Sequence, residues 1–277
     1  MASLYAPSEK GFDVRLEAVD HCQIGLLREL SSSVGARLAL KGGMAMRAAF
    51  GSMRLTKDID FDRDQTISQE SLKKSLERSL LRAAHVARLS SPKVRVTKDT
   101  GTTLRVRLEG ALSGKTDVRF DVEVSGRAAP AAAHLRSVIV APPARYAMAP
   151  FPVATYTDQA LAAMKISAAL SAQRNAPRDL YDLRDLIWAH ADPTDLLAEQ
   201  DADLLEDLSE RALGKLELIT FQLAQQELLP YLPADVRQAI NQDGWIEMTL
   251  MVADTIQCWC KDAMKLQQAR HRSQGPI

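Results

Sequence analysis

The sequence has only three cysteines, Cys22, Cys258 and Cys260, too few for a disulfide framework. Two of them stand in "IQCWCKD" with no further Cys or His cluster at zinc spacing, so free thiols are expected. Neither sign of charge is in excess: 35 basic and 35 acidic side chains cancel. That removes bulk charge as an argument for nucleic-acid binding and leaves only a local basic patch. No apolar run is long enough to span a bilayer. The start, "MASLYAPSEKGFDVRLEAVD", lacks a basic segment followed by an apolar one, so no signal peptide and a cytoplasmic location are expected. Low-complexity tracts are missing too, and the five histidines match neither HExxH nor a triad signature.

What is there is the composition of a folded protein, 277 residues at 46% hydrophobic and 25% charged, enough for one large domain or two ordinary ones. "EKGFDVRLEAVDHCQIGLLRELSSS" spaces Val19, Ile24, Leu26, Leu27 and Leu30 as a helix does. "ARLALKGG" reads as a short strand ending on glycines, "MAMRAAFG" as a helix stopped by Gly51, and "LTKDIDFD" as a strand. Leu72, Leu76, Leu80 and Ala84 mark an amphipathic helix. Leu104, Val106 and Leu108 alternate in one segment; Val118, Phe120, Val122 and Val124 alternate in the next. With Gly110 and Ser113-Gly114 between them, an antiparallel hairpin is expected. Residues 128–152 read as a loose connection holding one strand, "LRSVIV". From Thr157 onward the pattern is helix after helix, punctuated by Pro193, Pro230, Pro233 and Gly244. Trp245 and Trp259 are expected core or interface anchors there. The expectation is an α+β protein, with a mixed-sheet domain over 1–156 and a helical domain over 157–277.

Strand side chains alternate faces. In "TKDIDF", Ile59 and Phe61 then enter a core while Thr56, Asp58 and Asp60 face the other way. Two carboxylates so placed can be bridged by a divalent cation, and Mg²⁺ suits them because it needs few protein ligands and keeps sites for water and phosphates. Gly42 and Gly43 precede a helix start, where backbone N–H groups can approach an anion. A calcium loop is excluded by Arg63 and Gln69 at the Gly and Glu positions, and no GK[ST] exists for a Walker loop. Asp62 and Asp64 read as an acidic turn continuing into solvent. A third acid on a neighbouring strand would allow two metals. "RFDVEVS" offers Asp121, with Glu123 in reserve, against the plainer reading of a polar hairpin face.

Lys165 is the single charge inside "QALAAMKISAALSAQ", with Thr157 as N-cap. A partly desolvated ammonium calls for an anion such as phosphate, unless the side chain snorkels to water. In "NAPRDLYDLRDLIWA", Pro177 opens a helix, Leu183 and Ile187 fall on an apolar stripe with Leu180 beside it, and Asp179 and Asp182 share a flank. Asp179 alone could simply complement the helix dipole.

"KGGMAMRAAFG" with "RLTKDIDFD", "MKISAALSAQR" and "RDLYDLRDL" resembles the AbiEii/MenT-type nucleotidyltransferase toxins, members of the DNA polymerase β-like superfamily. The resemblance spans roughly Leu38 to Leu186. It implies that Gly42 and Gly43 receive a triphosphate, with Thr56 where the family often has Ser. It further implies that Asp58 and Asp60 bind metal, Lys165 contacts a nucleotide phosphate, and Asp179 and Asp182 form the last acidic motif. Asp121 corresponds only loosely.

The implied activity is Mg²⁺-dependent (Mn²⁺ also serving) transfer of a nucleoside monophosphate from an NTP to an acceptor hydroxyl. Asp121 would act as base or through a second metal, and Lys165 with the glycine amides would stabilise pyrophosphate. The resemblance favours the tRNA 3′ end as acceptor, in a toxin with a cognate antitoxin and an abortive-infection role. Other readings are a protein or small-molecule acceptor, or a nucleotide-binding module without turnover. Lys73, Lys74, Arg78, Arg82, Arg105 and Arg107 could meet a phosphate backbone, or be only a solvated face.

Overall fold

The computed structural model describes residues 10–112 and 116–273; Ser113-Gly114 and the first nine residues lie outside this range. The chain divides into two compact units. One comprises Met1–Tyr156 with Tyr231–Ala234, the other Thr157–Pro230 with Asp235–Ile277.

The first unit is built on a seven-stranded mixed sheet. Its strands are β1 (Leu38–Lys41), β2 (Asp58–Arg63), β3 (Leu89–Thr100), β4 (Thr103–Leu112), β5 (Thr116–Ser125), β6 (Leu135–Val140) and β7 (Phe151–Tyr156). Their spatial order is β3-β4-β5-β2-β1-β7-β6. β2 runs parallel to β5 and β1 parallel to β7; the other neighbours are antiparallel. Helices α1 (Val14–Ser33) and α3 (Gln69–Val86) pack on each other and on the sheet. Asp13 and Ser68 cap them by accepting the N–H of Arg15 and Ser71. The core is the apolar alternate of each strand: Ile59, Phe61, Val106, Leu108, Val122 and Val124 are all buried with Leu72, Leu76 and Leu80 of α3.

Helix α2 (Gly42–Ala49) follows β1 without an intervening loop, so the two glycines are its first residues rather than a turn ahead of it. Gly42 takes φ +68°, which is what lets the chain reverse there. Gly110 sits inside β4, not in the hairpin turn, because a Cβ on it would lie 3.2 Å from Leu89 of the neighbouring strand. Two strands escape the sequence pattern. β3 lies at the sheet edge with mostly exposed side chains, and β7 carries Pro152 within its run.

The second unit is helical: α4 (Asp158–Ala169), α5 (Pro177–Trp188), α6 (Thr194–Leu197), α7 (Ala202–Glu217), α8 (Phe221–Glu227), α9 (Ala234–Ala239, its first residue counted with the other unit) and α10 (Gln242–Ser273). Thr157 caps α4 through Ala160 N–H, and Pro177 opens α5, as the sequence suggested. Leu180, Leu183 and Leu186 form the buried stripe of α5, with Leu186 in the place expected for Ile187. Trp245 is buried and donates its indole N–H to Ile219 O at 2.8 Å, whereas Trp259 is half-buried. Cys22 and Cys260 are buried free thiols and Cys258 is exposed. No described helix is long and apolar enough to cross a membrane.

Candidate active site

β2 presents Asp58 and Asp60 on the face opposite Ile59 and Phe61, and both carboxylates are half-buried. Gly42 and Gly43 lie against this strand because they lack side chains. A Cβ on Gly42 would stand 2.6 Å from Asp60 Oδ2; one on Gly43 would meet Arg54 Nη2 at 2.7 Å and Thr56 Oγ1 at 3.0 Å. The start of α2, the Asp60 carboxylate and the Arg54 guanidinium are therefore neighbours. The peptide N–H groups of a first helical turn lack intrahelical acceptors and carry the positive end of the dipole.

The segment entering β2 is fixed from several sides. Thr56 is buried; its hydroxyl donates to Asp58 O at 3.1 Å, and its carbonyl accepts from Gln23 Nε2 of α1 at 3.3 Å. Leu55 N–H donates to Tyr231 O at 2.9 Å, and Lys57 Nζ lies 5.0 Å from the Tyr231 ring centre. Arg54, 4% exposed, donates through Nη1 to Leu55 O. Neither Arg54 nor Gln23 was legible as a site residue in the sequence, since an arginine four positions before an acid carries no periodic signal.

The neighbouring strands add two cross-strand rows on the same face. Asp58 is the register partner of Asp121, which pairs with Arg107; Asp60 is the partner of Glu123, which pairs with Arg105. Arg107 grips Asp121 through both oxygens, Nε to Oδ1 at 2.7 Å and Nη2 to Oδ2 at 2.8 Å. Arg105 binds Glu123 Oε2 through Nε at 2.9 Å and also through Nη2. Hydrogen bonding to these acids holds both guanidinium groups more firmly protonated than usual. These pairs concern two of the expectations. Asp121 stands beside Asp58 as a third acid should, yet both its oxygens serve a guanidinium, and Glu123 in reserve is likewise engaged. Arg105 and Arg107, expected either to meet phosphates or to be solvated, are ion-paired across the hairpin.

Asp62 also departs from the reading as a solvated turn. It is buried on β2, where Lys41 Nζ and Tyr156 OH both donate to it, at 2.6 and 2.7 Å. Burial, reinforced by that hydrogen bond, raises the Tyr156 phenol well above its ordinary pKa. Asp64 is a half-buried turn residue that accepts the Thr66 N–H, which lowers its carboxyl pKa.

A cleft of about 860 Å³ opens in the first unit, with Thr56, Asp58, Arg107 and Asp121 in its lining beside Arg15, Lys57, Lys93, Arg95 and Arg119. Among the described residues no three metal-ligating side chains converge. Asp58 and Asp60 carry the type of oxygen donor that suits a hard cation, and two such carboxylates fit an ion that keeps several waters.

The second unit holds its own charged cluster. Lys165, 7% exposed, reaches Asp179 Oδ1 at 2.9 Å and Asp182 Oδ2 at 2.6 Å, while Arg174 Nη2 lies 2.6 Å from Asp179 Oδ2. The anion expected for the lone lysine is thus supplied by the two acids of α5, both buried.

Comparison with known proteins adds the family. No curated protein sequence matches the chain. Among solved structures, JHP933 from Helicobacter pylori shares 20% identity over 98% of this chain and 100% of its own, with a TM-score of 0.60. A second Helicobacter pylori structure, of a candidate nucleotidyltransferase, shares 20% identity over 90% of this chain and 97% of its own, at 0.58. MenT4, a nucleotidyltransferase toxin from Mycobacterium tuberculosis H37Rv, shares 16% over 92% and 94%, at 0.47. The first two share the fold. A family model described as nucleotidyl transferase AbiEii toxin, type IV toxin–antitoxin system, matches residues 25–256, reaching beyond the motifs on both sides. Carrying the Gly-Gly helix start against a D-x-D strand, and matched over most of its length, the chain belongs to the AbiEii nucleotidyltransferase toxins.

Proposed function

We propose that this nucleotidyltransferase moves a nucleoside monophosphate from an NTP to an acceptor hydroxyl, the 3′ end of a tRNA, and that this modification is its toxic act. The observation that carries the reading is the closeness of Gly42 and Gly43 to Asp60 and Arg54. It supports a seat where triphosphate oxygens meet helix-start amides beside a carboxylate pair. Asp58 and Asp60 would hold Mg²⁺ or Mn²⁺, which when bound supplies charge neutralisation at the phosphates. Gln23 and Thr56 keep the entry to β2 in place, so the two carboxylates need little reorganisation on binding. Lys165 directs two of its three N–H donors to Asp179 and Asp182, so it ties α4 to α5 whether or not the third meets a nucleotide phosphate. An antitoxin belongs with the family.

The test is incubation with each labelled NTP, Mg²⁺ and total RNA beside Asp60→Asn. Label should enter RNA with the wild type and be lost at least 100-fold in the variant, at unchanged circular dichroism. Label in protein or in a small molecule instead would move the acceptor; retained labelling by Asp60→Asn would remove the carboxylate assignment.

A further inference from the structure

We propose that Tyr231 is a stacking platform for a nucleobase, the residue by which the cleft of the first unit grips the planar part of a nucleotide. The inference deepens the function proposed above and rests on it for the cleft's role. Among the described residues that line the cleft, the aromatic ones are Phe120 and Tyr231, and Phe120 is buried at 2% exposure. Tyr231 is half-buried, so its ring is the one that a ligand in the cleft can meet. Arg15, Lys57, Lys93 and Arg119 line the same cleft. An aromatic face among cations suits a nucleotide, whose base stacks while its phosphates are neutralised.

The ring is presented by a stiff segment. In "PYLPA", Pro230 and Pro233 each fix one φ angle. Residues 231–234 belong to the first unit although the chain on either side does not. Tyr231 O accepts from Leu55 N–H at 2.9 Å, Ala234 N–H donates to Lys10 O at 2.8 Å, and Leu232 between them is fully buried. These ties use backbone atoms and Leu232, not the Tyr231 ring. The first of them sets Tyr231 beside the stretch that leads into Asp58, which lines the cleft with it. The Lys57 ammonium lies over the ring, 5.0 Å from its centre. Lys57 is exposed, and a cation–π contact at an exposed site is weaker than a stacked base. A base therefore takes the ring in exchange, and the displaced ammonium is left close to the phosphate that the base carries.

Four ligands test this by isothermal calorimetry with Mg²⁺ present: a non-hydrolysable NTP analogue, inorganic tripolyphosphate, a short single-stranded RNA, and the same RNA built of abasic residues. Tyr231→Leu should weaken a base-bearing ligand at least five-fold and its base-free counterpart less than two-fold, while Tyr231→Phe stays within two-fold of the wild type throughout. Loss confined to the NTP pair assigns the ring to the incoming nucleotide; loss confined to the RNA pair assigns it to the acceptor. Tyr231→Met serves if the Leu variant fails to fold, since the tie to Leu55 needs only the backbone carbonyl. Equal losses with and without bases, a folded Leu or Met variant that binds all four ligands like the wild type, a Phe variant as weak as the Leu one, or a wild type that binds neither NTP nor RNA would overturn the proposal. The two levels separate cleanly. Base-selective loss at Tyr231 in a protein that labels no RNA keeps the platform and removes the RNA-transfer reading; labelling of RNA by a Leu variant with unchanged binding removes the platform alone.

Discussion

Gly42 answers to two constraints at once, a left-handed φ of +68° and the Asp60 oxygen that a Cβ would approach at 2.6 Å. Gly51 shares the backbone constraint, at φ +70°, but has nothing within 4 Å of its Cβ position. The pair therefore separates strain from site geometry. Each Gly→Ala change should cost about 1–2 kcal/mol in urea unfolding, but only Gly42→Ala should also lower nucleotide turnover, by ten-fold or more. Equal activity losses would disconnect the glycine from the acid. His21 offers a second residue-scale test. It is buried and stacked on Tyr146 at 4.3 Å between ring centres. Burial lowers its pKa from 6.5 to about 4, with Arg145, Arg28 and Arg88 adding to the effect and Asp20 opposing it. Between these values the unfolded chain binds a proton that the folded one does not, so stability falls as pH drops through that window and is unaffected above it. The full loss is about 3 kcal/mol. His21→Phe should flatten this part of the stability profile, measured by urea midpoints at about pH 7.5 and about pH 5; an unchanged slope would place the titration elsewhere.

At the level of elements, the hairpin β4–β5 was readable because one face of each strand is apolar without interruption. The pairing of its other face was latent in the same letters. "RVR" opposite "DVE" puts Arg107 on Asp121 and Arg105 on Glu123 once the register is known, but alternation alone does not fix the register. β7 was hidden by Pro152, which stands near the start of the strand and away from its Leu40–Thr155 pairing with β1, and β3 by an exposed, polar edge position. Asp62 was misjudged because one face of a strand looks alike in sequence whether its neighbours are water or Lys41 and Tyr156. The pairing of α4 with α5 could be anticipated only as a lone lysine and a nearby acidic pair. Lys165→Met leaves two buried carboxylates without their shared cation and should destabilise the protein by about 3–5 kcal/mol, read in chemical denaturation. Lys165→Arg should recover part of this. A Met variant as stable as the wild type would return Lys165 to a purely nucleotide-facing role.

On the scale of the whole chain, the change near Thr157 from mixed to helical patterning coincides with the division into units, while the return of 231–234 to the first unit had no sequence signal. Its hydrogen bonds join backbone groups, Leu55 N–H to Tyr231 O and Ala234 N–H to Lys10 O, and such bonds leave no side-chain pattern to read. Charge is the other whole-chain property with consequence. With 35 residues of each sign, net charge draws no acceptor in, and RNA contact on the proposed reading depends on local basic groups such as those of the cleft. Of its basic side chains, Arg95 and Arg107 already pair with Glu109 and Asp121, which leaves Arg15, Lys57, Lys93 and Arg119 as the cations there to neutralise phosphates. Each neutralised phosphate of a single strand contributes about −0.7 to the slope of log affinity against log salt, so the slope for an RNA acceptor should be no steeper than about −3. Binding to a labelled tRNA measured from low to physiological salt checks this. A slope near −6 would mean that the RNA lies across a far larger basic surface than the cleft, and that the acceptor is selected there and not beside Asp58.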